Sequence, residues 1–376
     1  MFERIKHMLI KEFIQIFRDP KVRALVLIMP VVQMLVFGYA VSTDVRHVET
    51  AVYDLDNTVA SRDLISRFVH TGYFDVAAYV ADERHLGDLV DHGDARAVIQ
   101  INKGFENDLR SGRTASVQII VDGVDSITAG MVLDYSAKIA EKFSRQVLVK
   151  RLAVTLGAAR APGQVDLVTR AWFNENLESR NFYAPGVIAI LVMLITLLLT
   201  SLAVVREKEA GTIEQIMVTP MTRAEFILGK TVPFALIAFF DVLLIVLVCV
   251  FWFEIPLRGS IALLFFATAL YLMTSLGVGL LISTVSETQQ QAVMMTFFFF
   301  FPAILLSGFV FPIANMPIVV QWATYLDPLR YFVKIIRGIF LKGIGSDVLW
   351  PELAALAVMG VCVLALATRR FKKSMA

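Results

Sequence analysis

Long apolar runs alternate along this chain with polar stretches of very unequal length. Residues 187–205 contain no ionisable side chain, and at about 1.5 Å per helical residue such a run nearly crosses a hydrocarbon core of about 30 Å. Comparable runs occupy 24–42, 232–253, 260–283, 292–306 and 353–368, which predicts six spanning helices. Ahead of the first run, Phe2, Ile5, Leu9, Phe13, Ile16 and Phe17 recur at helical spacing, with Glu3, Arg4, Lys6, Lys11 and Glu12 elsewhere on the wheel. Residues 1–23 are therefore expected to form an amphipathic helix lying in the membrane interface.

Two polar stretches carry most of the remaining information. Within 43–183, the short apolar runs 50–53, 74–80, 95–101 and 117–121 read as strands. The intervening 62–70, 82–91 and 104–110 read as helices, an α/β or α+β alternation. From Ile127 onward, Met131, Tyr135, Ile139, Phe143 and Val147 recur every four residues, predicting a long amphipathic helix whose stripe faces a core rather than a partner. The second stretch, 206–230, is short and dense. Arg206, Glu207, Lys208 and Glu209 end the preceding span, because each is costly at bilayer depth. Thr219-Pro220 stops the amphipathic turn that follows. The fold class expected is an α-helical polytopic membrane protein with six transmembrane helices and a mixed α/β extracytoplasmic domain inserted between helices one and two. Residues 184–376 hold helices two to six.

Composition agrees: of 376 residues, 57% are hydrophobic and 18% charged, which excludes an ordinary soluble domain. Six Lys or Arg precede Ala24, and Arg369, Arg370, Lys372 and Lys373 follow the last run, so both termini are expected in the cytoplasm. Arg330, Lys334, Arg337 and Lys342 fall on the outer side and run against that rule. The rival reading of the N-terminus as a cleaved signal peptide needs a shorter apolar region and a small-x-small site, which the sequence lacks. Cys249 and Cys362 both lie in apolar runs, leaving no disulfide framework.

Catalytic chemistry finds no foothold. The string Ala224-Glu225-Phe226-Ile227-Leu228-Gly229-Lys230-Thr231 comes close to a phosphate loop, but it starts with Ala and no strand precedes it. His7, His47, His70, His85 and His92 offer no metal-ligand spacing. No catalytic or metal site is expected, and the basic termini are explained by topology rather than nucleic acid. Asp241 sits inside a span, where an acid faces protein or water. A contact along a transport route and a structural hydrogen bond are equally open for it. The segment 307–321, with Gly308, Pro312, Asn315 and Pro317, is too broken for a straight span. It predicts a re-entrant or outer gate, because irregular backbone at membrane depth needs protein or water to satisfy it. Phe298 belongs to the aromatic wall Phe297–Phe301, which offers apolar contacts to a substrate.

The string Arg206-Glu207-x-x-x-Gly211-Thr212-x-Glu214 followed by Thr219-Pro220-Met221 resembles the cytoplasmic coupling segment of type-2 class ABC exporter permeases. The runs Ala97–Phe105 and Val121-Asp122-Gly123 resemble the outer domain of the multidrug branch of that family, and Leu306–Pro317 also resembles the family. The resemblance implies an exporter subunit, expected in a bacterial inner membrane, and the Phe297–Phe301 wall with the Leu/Met-rich spans, offering apolar contacts and few fixed charges, fits amphiphilic drugs or lipid-like substrates. The resemblance also implies a dimer with a second copy or a paralogue, and a soluble ABC ATPase subunit that binds the ATP and Mg this chain does not hold. The outer domain, 43–183, is too large for a plain flippase loop, and its size allows a periplasmic membrane-fusion adaptor to dock there. Arg206, Glu207, Gly211, Thr212, Glu214, Thr219 and Pro220 then become the residues expected at the ATPase. Two other classes remain open. A membrane-anchored sensor needs a cytoplasmic output module, and a proton-coupled transporter needs a relay partner for Asp241.

Overall fold

A computed structural model of the chain describes residues 2–40, 47–82, 84–155, 172–174, 178–211 and 223–374. Two compact units result, one from residues 43–169 and one from residues 1–42 with 170–376.

The smaller unit is built on four strands, β1 (Val48–Asp54), β2 (Phe74–Tyr79), β3 (Ala97–Ile101) and β4 (Val117–Val121), in the order β2-β1-β3-β4. β1 runs parallel to both β2 and β3, whereas β4 is antiparallel to β3. Parallel neighbours need crossovers, and here α4 (Val59–His70) and α5 (Arg84–Asp91) supply them. A shorter helix, α6 (Phe105–Ser111), precedes β4. The long helix α7 (Ser126–Thr155) lays Val132, Ile139 and Phe143 into the same core as Val52, Phe68 and Ile99. The four-residue stripe is thus core, entered through Val132 with Tyr135 and Val147 packed at its margin.

The larger unit begins with α1 (Phe2–Arg18), α2 (Pro20–Leu27) and α3 (Met29–Ala40). The first apolar run is therefore two helices and not one continuous rod; the break falls at Ile28, two residues before Pro30, whose ring and missing N–H disfavour an uninterrupted helix. Five longer helices meet the length and apolarity needed to cross a bilayer among the described residues. These are α8 (Ser179–Glu209), α9 (Arg223–Leu247) with the π-turn Val248–Trp252, α10 (Ile261–Val285), α11 (Gln289–Leu306) and α14 (Ser346–Ser374). α8 is the central member, buried almost continuously from Ala184 to Leu199 and packed against α3, α9, α10 and α11. Small residues permit the closest approaches: a Cβ on Gly279 would lie 2.8 Å from Thr200 Cβ on α8, and one on Gly277 2.9 Å from Val363 Cγ1 on α14.

Between α11 and α14 the chain is broken, with Gly308 at φ 76°, a 3₁₀ turn at Ile313–Asn315, α12 (Ile318–Ala323) and then α13 (Pro328–Arg337). α13 is amphipathic and buries Leu329, Phe332, Val333, Ile335 and Ile336 in the core of the larger unit. The cationic stretch containing Arg330, Lys334 and Arg337 is thus a packed helix.

Candidate functional site

Three of the four charges that end α8, Glu207, Lys208 and Glu209, have an internal partner. Burial of Glu207 is nearly complete at 6% exposure. Its Oε1 accepts from Lys11 Nζ on α1 at 2.9 Å and lies 2.7 Å from Lys230 Nζ on α9. Lys230, only 2% exposed, also donates to Glu12 Oε1 on α1 at 2.6 Å. The next residue, Lys208, donates to the carbonyls of Ser283 (2.6 Å), Ser286 (3.2 Å) and Thr284 (3.3 Å), capping the end of α10. A cation is favoured there, because the last carbonyls of a helix lack intrahelical donors. Glu209 in turn accepts from the backbone N–H of Gln289 at 2.7 Å and from its side-chain amide, tying down the start of α11. Arg206 is half-buried, and Ala210 closes the helix before Gly211 turns at φ 65°, a left-handed conformation that favours glycine. Thr212, Glu214, Thr219 and Pro220 lie outside the described residues.

Further along α9, Asp241 is fully buried, and neither carboxylate oxygen meets a hydrogen-bond partner among the described residues. The structural-hydrogen-bond alternative for this residue therefore finds no support within them. At the other end of the unit, Pro312, Asn315 and Pro317 come together with Pro302, Leu305 and Phe311 around an apolar cavity of about 620 Å³. Gly308 sits at the break just before it, held by Arg337, whose guanidinium donates to the carbonyls of Gly308 (3.4 Å), Phe309 (3.5 Å) and Phe182 (3.2 Å). The same group lies 3.7 Å from the Phe182 ring centre, a cation–π contact. Phe298 is not part of this cavity; it is 77% exposed on α11.

Residues 21–369 match the family described as ABC-2 family transporter protein. The chain belongs to that ABC-2 family. Among its relatives, the "Probable multidrug ABC transporter permease YbhR" of Escherichia coli (strain K12) is 32% identical over 96% of this chain and 95% of its own length. The "Probable multidrug ABC transporter permease YbhS" of the same organism is 34% identical over 91% and 89%. The "Inner membrane transport permease YhhJ" is 26% identical over 86% and 85%.

In this ABC-2 chain the string resembling a phosphate loop is helical from Glu225 to Thr231, and its lysine is consumed by Glu12 and Glu207. A helix turns its amides along its own axis and cannot wrap a phosphate. The sequence pattern alone missed Lys11, Glu12 and Lys230. Glu12 was expected on the polar face of an interfacial helix, yet it is 3% exposed, while Ile10, Ile14 and Phe17 are turned outward. One signal was available: Lys230 stands between the apolar runs 226–228 and 232–253, where an unpaired ammonium would be costly.

Proposed function

We propose that this chain is the transmembrane permease subunit of an ATP-driven exporter of the bacterial inner membrane. Both of its termini face the cytoplasm, and residues 43–169 lie outside. Two permeases, identical or paralogous, pair with a soluble ABC ATPase that holds the ATP and Mg. The observation that carries the reading is the end-to-end match to a relative named as a multidrug ABC transporter permease, in a chain whose one phosphate-loop-like string is helical. The substrates are amphiphilic drugs or lipid-like molecules, consistent with the apolar cavity beside Pro312 and the exposed aromatic face of α11. A periplasmic membrane-fusion adaptor docks on the outer domain.

The ATPase engages the segment 206–230. Arg206, Gly211, Thr212, Glu214, Thr219 and Pro220 serve that contact, whereas the internal pairing of Glu207 gives it a clamping role instead. Closure of the ATPase pushes this segment, and the helices tied to it change which side of the dimer is open. The test is affinity purification of the full-length chain from its native membranes, with mass spectrometry of the soluble ABC ATPase it retains. Glu214→Lys is expected to abolish retention. If the unmodified chain retains no ATPase and moves substrate on a proton gradient alone, the proton-coupled reading that Asp241 invites replaces this one.

A further inference from the structure

We propose that the smaller unit carries a ligand site of its own: the cavity walled by α4, α6 and α7 takes a small amphiphilic anion, one acidic head group on an apolar body. The inference stands apart from the exporter reading, because every residue lining this cavity falls between Val59 and Arg151, inside the smaller unit.

The cavity measures about 810 Å³, within the range of about 300–1,000 Å³ typical of small-molecule sites. One side is apolar, made by Leu109 of α6 with Phe143 and Val147 of α7, which all pack into the core of this unit. The rest is charged. Arg67, Arg110, Lys150 and Arg151 stand against two carboxylates, Asp63 and Glu106, so the surplus is positive.

The cations are not equivalent. Arg67 lies over the Phe143 ring, 5.1 Å from its centre, and donates from Nη2 to Asp63 at 2.9 Å and from Nη1 to Gln146. These contacts fix the guanidinium, yet its Nε is buried and meets no hydrogen-bond partner among the described residues. Arg151 is fixed as well, donating to the carbonyls of Leu109 at 2.6 Å and Arg110 at 2.5 Å and so closing the last turn of α6. Both carboxylates are already engaged, Asp63 by Arg67 and Glu106 by Arg110 at 2.5 Å. Lys150 is exposed and makes no ion pair or hydrogen bond among the described residues. Its ammonium is therefore the uncommitted charge of the cavity, flanked by two guanidiniums that need little further ordering on binding. An acidic head group gains a charge-assisted hydrogen bond there, while an apolar body covers Leu109, Phe143 and Val147. A bare inorganic anion would leave that side uncovered, and a cation would meet the surplus charge.

The experiment uses the full-length chain in nanodiscs of a zwitterionic lipid, with empty nanodiscs as the reference, and titrates 1-naphthaleneacetate by calorimetry. Saturable binding is expected. The neutral amide of the same compound is expected to bind about ten-fold more weakly, the worth of one hydrogen bond between charged groups, and inorganic phosphate is expected not to saturate over the same range. Bound carboxylate should slow hydrogen exchange along α4 and α7. Lys150→Glu is expected to weaken binding by at least about ten-fold. Lys142→Glu makes the same charge change on α7 at a residue that does not line the cavity, and screening should hold its effect within about two-fold. Val59→Trp, at a lining position 70% exposed, keeps every charge and is expected to abolish binding by filling the space. Should one of these proteins fail to run as a single species on size exclusion, the other decides. The inference is overturned if no saturable binding is seen, if the amide binds as tightly as the carboxylate, or if binding survives either Lys150→Glu or Val59→Trp in a folded protein. Phosphate binding as tight as that of the carboxylate would reduce the cavity to a plain anion site and overturn the amphiphile assignment. None of these results bears on ATPase retention, which tests the exporter reading separately.

Discussion

Asp241 and Glu207 are both buried acids, and opposite responses to substitution follow from their surroundings. Asp241 has no described partner for either oxygen, so replacing it leaves nothing newly unsatisfied. Asp241→Leu is expected to leave thermal stability in detergent unchanged within about 1 kcal/mol, or to raise it, because a buried polar group without a partner contributes only its desolvation cost. Transport is expected to fall in the same variant if the carboxyl lines the route. A marked drop in melting temperature would show a partner and sink that assignment. Glu207→Gln removes the charge that faces Lys11 and Lys230. Breaking a buried pair from one side costs about 3–5 kcal/mol, and the surviving Glu12–Lys230 contact places this variant near about 3 kcal/mol. A Glu207→Gln protein as stable as the unmodified chain would mean the cluster is not formed in the membrane.

Helix termini decide much at the next scale. α6 starts at Gly104, which has no side chain to cap it, and Asp56 does the work from across the fold, accepting from the N–H of Gly104 at 2.7 Å and of Glu106 at 3.0 Å. Burial, the largest single influence, raises the Asp56 carboxyl, but the Thr58 hydroxyl and the backbone amides together outweigh it and hold the group below its usual 3.8. A depressed folded value means the tie is fully present above the unfolded value and is lost as pH falls through the folded one. Asp56→Ala is therefore expected to speed amide exchange at Gly104 and Glu106 about five-fold at neutral pH, the equivalent of a cap worth about 1 kcal/mol. The difference from the unmodified chain should shrink below pH 3.8; a gap that persists at lower pH would rule out the carboxylate as the cap. At this scale the sequence was legible wherever apolar period and length coincide. The four strands and the stripe through Ile139 and Phe143 come straight from pattern, as do the five longer helices. Pattern also located the Gly308 break and the small residues at Gly277 and Gly279, because each is a local steric requirement. It failed for α13, where Arg330, Lys334 and Arg337 interleave with Leu329, Phe332, Val333 and Ile336 and imitate a solvated connection. It failed for the clamp too, since Glu12 and Lys230 are separated by 218 residues and no local periodicity links them.

For the larger unit as a whole, helices differ sharply in how far the chain itself covers them. α8 is enclosed, whereas α11 leaves Met294, Phe298, Phe301 and Leu305 more than half exposed. Its far end, Pro302, Leu305 and Leu306, lines the apolar cavity beside the Gly308 break. Lipid alone can cover such a face, but if two permeases pair as proposed above, an interface beside this cavity would fall on α11. Small side chains and close packing drive helix association in lipid, and here the contact would instead be made by broad aromatic surface, which favours offset ring stacking. Cysteine placed at Phe298, in a background lacking Cys249 and Cys362, is accordingly expected to form a disulfide-linked dimer on mild oxidation in membranes. A cysteine at Val358, 62% exposed on α14, is expected to stay monomeric, since its helix does not border the cavity. The reverse pattern would move the pairing surface to α14 and detach it from the cavity beside Pro312. Equal cross-linking at both positions would indicate random collision and leave α11 facing lipid.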